Sequence, residues 1–198
     1  MISPTLSPEK REEVVQAALD TFVERPWLEV TLEAIASSAG ADAGQVEEAF
    51  GSREGLYRAA LEVYTTQTVS RAEAELPQGS ARAQLEMVCA RAWDTLRTPQ
   101  FTALYRVAIV LKLVDPSLSQ HFRENIVDRW RRLLDTVLTR GAASGEFKPN
   151  APAAGRVISS SLLLQAIWCN DAERLAPANK SRVVQELLDV VLEGIGGR

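Results

Sequence analysis

The sequence of 198 residues predicts an all-α protein, and three observations support that class. Apolar residues recur at spacings of three and four along most of the chain, as they do on one face of an α-helix. The periodic segments are bounded by Ser, Thr or Asp caps and by Pro or Gly breakers. No pair of alternating, β-branched runs appears that would predict a hairpin. We therefore expect about nine helices, three in the first 50 residues and six longer ones after them.

The first helix is predicted to begin at Ser7-Pro8, because Ser is a favoured N-cap and Pro is tolerated at the first helical position. Its apolar stripe ends before Pro26, which stops the helix. Thr31 can cap a second, short helix. Gly40 then provides a tight turn. Asp42 and Gln45 form a capping-box pattern that opens a third helix ending near Phe50.

The remaining helices are separated by strong breakers. Ser52 caps a helix that continues to about Leu76, and Pro77-Gln78-Gly79-Ser80 forms a loop. Further helices are predicted at about 81–97, 100–113, 117–141, 152–169 and 178–194.

Composition and charge restrict the class of protein further. Hydrophobic residues make up 46% and charged residues 24% of the chain, the balance of a globular protein that buries a core. The net charge of −4 argues against a generic binder of polyanions. Two cysteines, Cys89 and Cys169, are too few for a disulfide framework, and neither a membrane-spanning run nor a secretory signal is apparent. We expect a cytoplasmic protein that does not bind membranes.

The second and third helices, joined by a glycine-containing turn, have the pattern of a helix-turn-helix. In that motif the last helix enters the major groove of DNA. The residues themselves resemble the TetR family of bacterial regulators. The likeness is carried by Val30-Thr31-Leu32-Glu33-Ala34-Ile35-Ala36-Ser37-Ser38-Ala39-Gly40, by Gly44, Phe50, Ser52-Arg53-Glu54 and Leu56, and upstream by Ala17-Ala18-Leu19 and Phe22.

The resemblance implies a homodimeric, ligand-responsive regulator, most often a repressor. Residues 1–52 would form the DNA-binding domain, and residues 53–198 would form an effector-binding and dimerisation domain. A double-stranded DNA operator and a small apolar or amphipathic effector are the implied partners. By position, the DNA-binding residues would be Thr31, Ala43, Gly44, Gln45, Glu47 and Arg53, with Thr31 and Arg53 at phosphates and Gln45 at base edges.

The charge of this module favours an alternative. Residues 1–62 contain five Lys or Arg against twelve Asp or Glu, a net charge of −7. The predicted recognition helix has no cation, and Glu47 stands where the family usually has Tyr. DNA binding normally draws affinity from cations that replace condensed counterions. The alternative is therefore a protein that keeps the TetR fold but has weakened or lost DNA binding, and that binds a small molecule or a protein partner.

Aromatic residues of the larger domain are candidates for an effector pocket. At helical spacing beside Leu, Val and Ala, they could line an apolar cavity that has a few polar groups. The alternative is that they are ordinary core residues. The candidates are Trp93, Phe101, Tyr105, His121, Trp130 and Trp168.

The last two helices carry wide apolar stripes, which need to be covered. In the TetR pattern such helices pair with those of a second subunit as a four-helix bundle. The alternative is packing against the same chain. The residues predicted at the dimer interface are Leu162, Ala166, Val184, Leu188 and Val191.

No enzymatic constellation is visible. One histidine and two cysteines eighty residues apart do not make a zinc site, and no phosphate-binding GxxxxGK[ST] loop is present. We expect a non-enzyme with no metal and no cofactor.

Overall fold

A computed structural model describes residues 6–168 and 177–195, with side chains from Arg182 onward in the last stretch. The prediction of an all-α protein is confirmed: this part of the chain contains helices and no β-strand. The α-helices are α1 (Pro8–Glu24), α2 (Leu32–Ser38), α3 (Ala43–Phe50), α4 (Arg53–Thr65), α5 (Arg71–Ala74), α6 (Ala81–Leu96), α7 (Pro99–Val114), α8 (Pro116–Phe122), α9 (Asp128–Ser144), α10 (Ala154–Trp168) and α11 (Pro177–Ile195).

The helix starts follow the caps expected from the sequence. The side-chain oxygens of Ser7, Thr31, Asp42 and Ser52 each accept a hydrogen bond from the backbone N–H three residues later, at 3.0–3.2 Å. Each bond gives a partner to one of the N–H groups that a helix leaves free at its first turn. The four predicted N-caps of the first half of the chain are therefore confirmed.

Two of the longer helices contain a π-helical segment. The segment Thr66–Ser70 joins α4 to α5, and Arg123–Val127 joins α8 to α9. Counting each such continuous run as a single helix gives nine helices in the described part of the chain, as expected. In the second segment the Asn125 side chain donates to the carbonyl oxygen of His121 at 2.9 Å. A side-chain donor of this kind interrupts the regular α-helical ladder.

The chain divides into two compact units. Unit 1 comprises residues 1–66 and 99–125, and unit 2 comprises residues 67–98 and 126–198. Both π-helical segments contain a point where the chain passes from one unit to the other. These divisions lie at other residues than the domain boundary predicted after residue 52. That boundary stays a prediction.

Unit 1 is built around the residues predicted for the first helix. In it α1 packs against α2, α4 and α7, while α3 packs against α2 and α4, and α8 against α7 and α4. The largest fully buried side chains of its core are Leu19, Phe22, Ile35, Leu56, Tyr57, Leu61, Phe101, Leu104 and Leu118. Because α2 and α3 contribute buried side chains to this core, the orientation of both helices within unit 1 is fixed.

Unit 2 is a helical bundle. In it α6, α9 and α10 pack against one another, and α11 packs against α6 and α10. Gly141 of α9 allows one close approach, since a Cβ atom there would lie 2.2 Å from the Phe147 ring. Among the described residues, no helix combines the length and the apolar character needed to cross a bilayer.

Candidate nucleic-acid interface and effector cavity

The helix-turn-helix begins with α2 and ends with α3. Gly40, at φ +59°, makes the turn between them in a backbone conformation that disfavours residues with a side chain. Ile35 and Val46 are fully buried and anchor the two helices to unit 1. The first turn of α3 is fixed by the Asp42 carboxylate, which accepts from the N–H of Gln45 at 3.0 Å.

The outer surface of α3 carries small and acidic residues. Gly44, Glu47 and Glu48 are exposed, while Ala43 and Gln45 are half-buried. A Cβ atom at Gly44 would lie 3.2 Å from the Asp42 carboxylate, so a larger residue there would press on the cap of the helix. The predicted base-reading residues thus lie together on one short helix that carries carboxylates and no cation.

Arg53, at the start of α4, is directed inward. Its Nη1 donates to the carbonyl oxygens of Trp27 and Val30, at 3.1 and 3.3 Å, and its Nε donates to Glu54 at 3.1 Å. The guanidinium lies over the Trp27 ring, 4.5 Å from its centroid. Among the described residues only its Nη2 group has no partner, so a small part of this side chain is left for a phosphate.

The two cations of the first turn of α1 are also used within the module. Lys10 donates from Nζ to the carbonyl oxygen of Ala39 at 3.2 Å, next to the end of α2. Arg11 donates to the carbonyl oxygen of Ala49 at 3.2 Å, and its guanidinium lies 4.2 Å from the centroid of the Phe50 ring. Both cations therefore meet the negative ends of helix dipoles, which they stabilise.

The acidic side chains of the module are more exposed to solvent than its cations and make fewer hydrogen bonds to its backbone. Glu33, in the first turn of α2, has its pKa lowered by a hydrogen bond from its own backbone N–H and by the hydroxyl of Thr31. A carboxylate in the first turn of a helix is stabilised by the free N–H groups there, which also favour other anions. Eleven of the twelve acidic residues of residues 1–62 are exposed and Glu54 is half-buried, whereas Lys10, Arg11 and Arg53 are bonded to backbone carbonyls of the module.

A small apolar cavity lies in unit 2. It has a volume of about 70 Å³, and none of its lining side chains is charged. Trp130 is its predicted member, and this ring is buried. None of the other lining residues was predicted to bind an effector, although Leu162 was predicted at the dimer interface. They are Ala92, Leu96, Ile126, Val127, Leu134, Ser159, Ser160, Leu162 and Leu163. Aliphatic residues of this kind carry no signal in a single sequence that would separate a cavity wall from ordinary core.

The other aromatic candidates are distributed over both units. In unit 1 the rings of Phe101 and Tyr105 pack with that of Phe122, with centroids 5.9–6.0 Å apart, and half-buried His121 is hydrogen-bonded to Asn125. In unit 2, buried Trp93 borders an open groove between α6 and α11, while Trp168 is 78% exposed. Trp130 is thus the one candidate of the six that lines the uncharged cavity.

The residues predicted at the dimer interface are mostly core residues of their own chain. Leu162, Val184, Leu188 and Val191 are at most 9% exposed, and Ala166 is half-buried. Side chains that their own chain covers have little area left for a partner. The exposed apolar residues of the same two helices are Val157, Leu164, Trp168 and Val190.

Two known protein families match this architecture. The family described as "Bacterial regulatory proteins, tetR family" matches residues 14–60, and "Tetracyclin repressor-like, C-terminal domain" matches residues 76–187. The second match alone spans more than half of the chain. The chain belongs to the TetR family. It is accordingly a DNA-binding transcriptional regulator with a ligand-binding C-terminal domain.

Solved structures of transcriptional regulators share the fold along nearly the whole chain. A Mesorhizobium loti protein assigned to the TetR family is 20% identical, with a TM-score of 0.82 over 98% of this chain and 100% of that one. A Saccharomonospora viridis protein assigned as a transcriptional regulator, in complex with choline, is 20% identical, with a TM-score of 0.80 over 97% and 100%. Bacillus subtilis FadR in complex with stearoyl-CoA is 20% identical, with a TM-score of 0.72 over 93% and 98%. No curated protein matches the chain.

Proposed function

We propose that this TetR-family protein is a homodimeric repressor that binds an operator through α3 and releases it when a small molecule binds in unit 2. The observation that supports this function best is the exposed outer face of α3, held by buried Ile35 and Val46 and presented after a glycine turn. A two-fold dimer would place two copies of α3 in successive major grooves, about 34–36 Å apart.

The proposed DNA contacts divide by type. Gln45, with Ala43 and Gly44, faces base edges, and the hydroxyl of Thr31 meets a phosphate at the start of α2. Glu47 and Glu48 lie on the same helix, and a glutamate there can accept a hydrogen bond from the amino group of cytosine. Arg53 mainly positions α4 through the carbonyls of Trp27 and Val30, and offers its Nη2 group to phosphate.

The dimer interface is proposed on the exposed apolar faces of α10 and α11. Val157, Leu164 and Trp168 follow at spacings of seven and four, which puts them on one face of α10, and they are 57%, 60% and 78% exposed. Val190 of α11 is 71% exposed. Pairing these faces with those of a second subunit would remove the largest exposed apolar side chains of unit 2 from water.

The effector is proposed to enter the cavity beside Trp130. Ten residues without a charged side chain line it, and two of them are serines, so the part of the ligand that lies inside is neutral and mostly apolar. The cavity is smaller than the engineered cavity of about 150 Å³ that accommodates benzene. Side chains such as Leu163 must therefore move to admit a ligand larger than a few heavy atoms.

A genomic selection followed by titration tests this function. Purified dimer is used to capture genomic fragments, and the selected duplex is titrated at low salt by fluorescence anisotropy against a scrambled duplex of equal length. We expect sequence-selective binding that weakens for Gln45→Ala. The matched control, Gln16→Ala, changes an exposed glutamine on α1, outside the helix-turn-helix. Equal affinity for selected and scrambled duplex would refute operator binding.

A second candidate function is a TetR-fold receptor with weakened DNA binding. The use of Lys10, Arg11 and Arg53 as internal donors favours it, because these cations are then not free to replace counterions on DNA. Under this hypothesis Glu47→Tyr, which removes a carboxylate and adds a phosphate-binding hydroxyl, creates measurable DNA affinity where the native protein has none. Tight operator binding by the native protein would refute it.

A further inference from the structure

A groove in unit 1 has a composition unlike the rest of the acidic module. It lies where the end of α1 and the turn that follows it meet α7, and it has a volume of about 190 Å³. Two of its lining residues are arginines, Arg25 and Arg106, and none is a carboxylate. The remaining lining residues are Phe22, Pro26, Trp27, Ala103, Val107 and Val110.

The two guanidinium groups of this groove have unused donors. The Arg25 side chain has no hydrogen-bond or ion-pair partner within the described part of the chain, while its backbone N–H donates to the carbonyl oxygen of Thr21 at 2.9 Å. Arg106 donates through Nη2 to the carbonyl oxygens of Phe22 and Val23, at 3.5 and 3.4 Å, and its Nε and Nη1 groups have no partner among the described residues. In contrast to Lys10, Arg11 and Arg53, these cations can bind an anion from solution without losing their own contacts.

An exposed apolar stripe continues from the groove along α7. Val110 is 42% exposed, Ile109 51%, Leu113 91% and Val114 78%. Arg106, Val110 and Leu113 follow at spacings of four and three, so they lie on one face of the helix. From Arg106 to Leu113 the helix rises by about 10 Å, at about 1.5 Å per residue. Large exposed apolar residues that are contiguous in this way mark binding surfaces more often than isolated ones do.

We propose that this groove binds a small amphiphilic anion, with a carboxylate or phosphate monoester at Arg25 and Arg106 and an alkyl chain along Val107, Val110 and Leu113. Arginine donors in a fork match the oxygen pair of a carboxylate. The apolar floor excludes an inorganic ion as the preferred ligand, and the two cations disfavour a neutral or cationic amphiphile. The site lies wholly in unit 1 and is distinct from the uncharged cavity beside Trp130.

Binding at this groove would act directly on the DNA-binding module. The Trp27 ring forms part of the floor and packs against Phe22 and Tyr57, with centroids 5.8 and 6.0 Å away. Its other neighbour is the Arg53 guanidinium, which begins α4. A ligand seated on Trp27 therefore stabilises the ring cluster that holds the start of α4.

Calorimetric titration of the full-length protein with octanoate, whose extended chain suits the stripe, tests the proposal. We expect saturable binding of one octanoate per chain, and at least about tenfold weaker binding of 1-octanol and of octyltrimethylammonium. Arg25→Gln and Arg106→Gln should each weaken octanoate binding by about tenfold, as expected for loss of a hydrogen bond between charged groups. Lys112→Gln, on the same helix but outside the groove, is the matched control and should leave binding unchanged.

Three outcomes would overturn the proposal. The first is no saturable binding of octanoate, and the second is equal binding of octanoate and 1-octanol. The third is unchanged binding in Arg25→Gln, a variant that disturbs no internal contact and is therefore expected to fold. If octanoate fails while Leu113→Glu abolishes an association between dimers in light scattering, the stripe is a protein interface instead.

Discussion

Replacement of Arg53 tests whether this residue holds the helix-turn-helix together. Its Nη1 bonds to the carbonyls of Trp27 and Val30 are 3.1 and 3.3 Å long, and its side chain is 32% exposed. At such lengths and exposure we assign about 1 kcal/mol to each bond, which is less than the roughly 1.5–3 kcal/mol of a fully buried bond to a charged group. Contact with the Trp27 ring adds about 0.5–1 kcal/mol.

Arg53→Ala is therefore expected to lower the free energy of unfolding by about 2–3 kcal/mol per subunit. Arg53→Lys keeps the charge but loses the planar guanidinium that lies over the Trp27 ring and the Nε bond to Glu54, so we expect a loss of about 1–2 kcal/mol. The assay is urea unfolding followed by circular dichroism, at one fixed protein concentration because the proposed dimerisation would contribute to stability.

The matched control is Arg58→Ala in the same helix. Among the described residues, its guanidinium donates one hydrogen bond, to the hydroxyl of Ser117 at 3.3 Å, and it lies near Asp115. We expect that control to change stability by less than about 1 kcal/mol, as for an exposed pair. If Arg53→Lys unfolds at the native urea midpoint, Arg53 acts as a simple point charge and the structural role argued here is wrong.

Three further predictions concern the recognition helix and the two cores. The double variant Glu47→Gln, Glu48→Gln should raise affinity for DNA by about fivefold for each carboxylate that lies near a phosphate, because a carboxylate about 4 Å from a phosphate costs about 1 kcal/mol in water. Fluorescence anisotropy with Glu62→Gln as control checks this. Tyr57→Phe should cost about 1–2 kcal/mol of stability, since its buried hydroxyl donates to the carbonyl of Leu104 at 2.9 Å; unchanged thermal unfolding would contradict this. Burial raises the pKa of the Cys89 thiol to about 12. At pH 8 the folded Cys169→Ser variant, in which Cys89 is the remaining thiol, should therefore react with a thiol reagent only as fast as it unfolds. Rapid labelling without unfolding would refute this.

The helices could be predicted from the sequence because each helix start depends on residues that are close together in the chain. Ser7, Thr31, Asp42 and Ser52 each bond to the N–H three residues later, an interaction that the spacing of residue types alone predicts. The positions of apolar residues on one face of α1 likewise predicted which side chains are buried. The helix-turn-helix was therefore predicted with its caps, its glycine turn and its order along the chain.

The sequence was insufficient for contacts between residues far apart in the chain. The hydrogen bonds of Lys10 to Ala39 and of Arg53 to Trp27 join residues 29 and 26 positions apart in the chain. No local sequence pattern predicts such bonds. The wide stripe of α11 had the same ambiguity. Periodicity predicts that such a stripe is covered, but not whether its own chain or a partner covers Val184 and Leu188, which are buried within the chain.

The distribution of cations gives the module a consistent electrostatic character. Lys10 and Arg11 are bonded to carbonyls near the ends of α2 and α3, and Arg53 is bonded to the turn before α2. Cations used in this way stabilise the helix-turn-helix but release few counterions when DNA binds. Non-specific affinity should accordingly be low and only weakly dependent on salt. Any useful operator affinity must then come from contacts of α3 with base edges, which depend on sequence. An acidic helix-turn-helix is thus compatible with a regulator that binds its operator selectively and binds other DNA weakly.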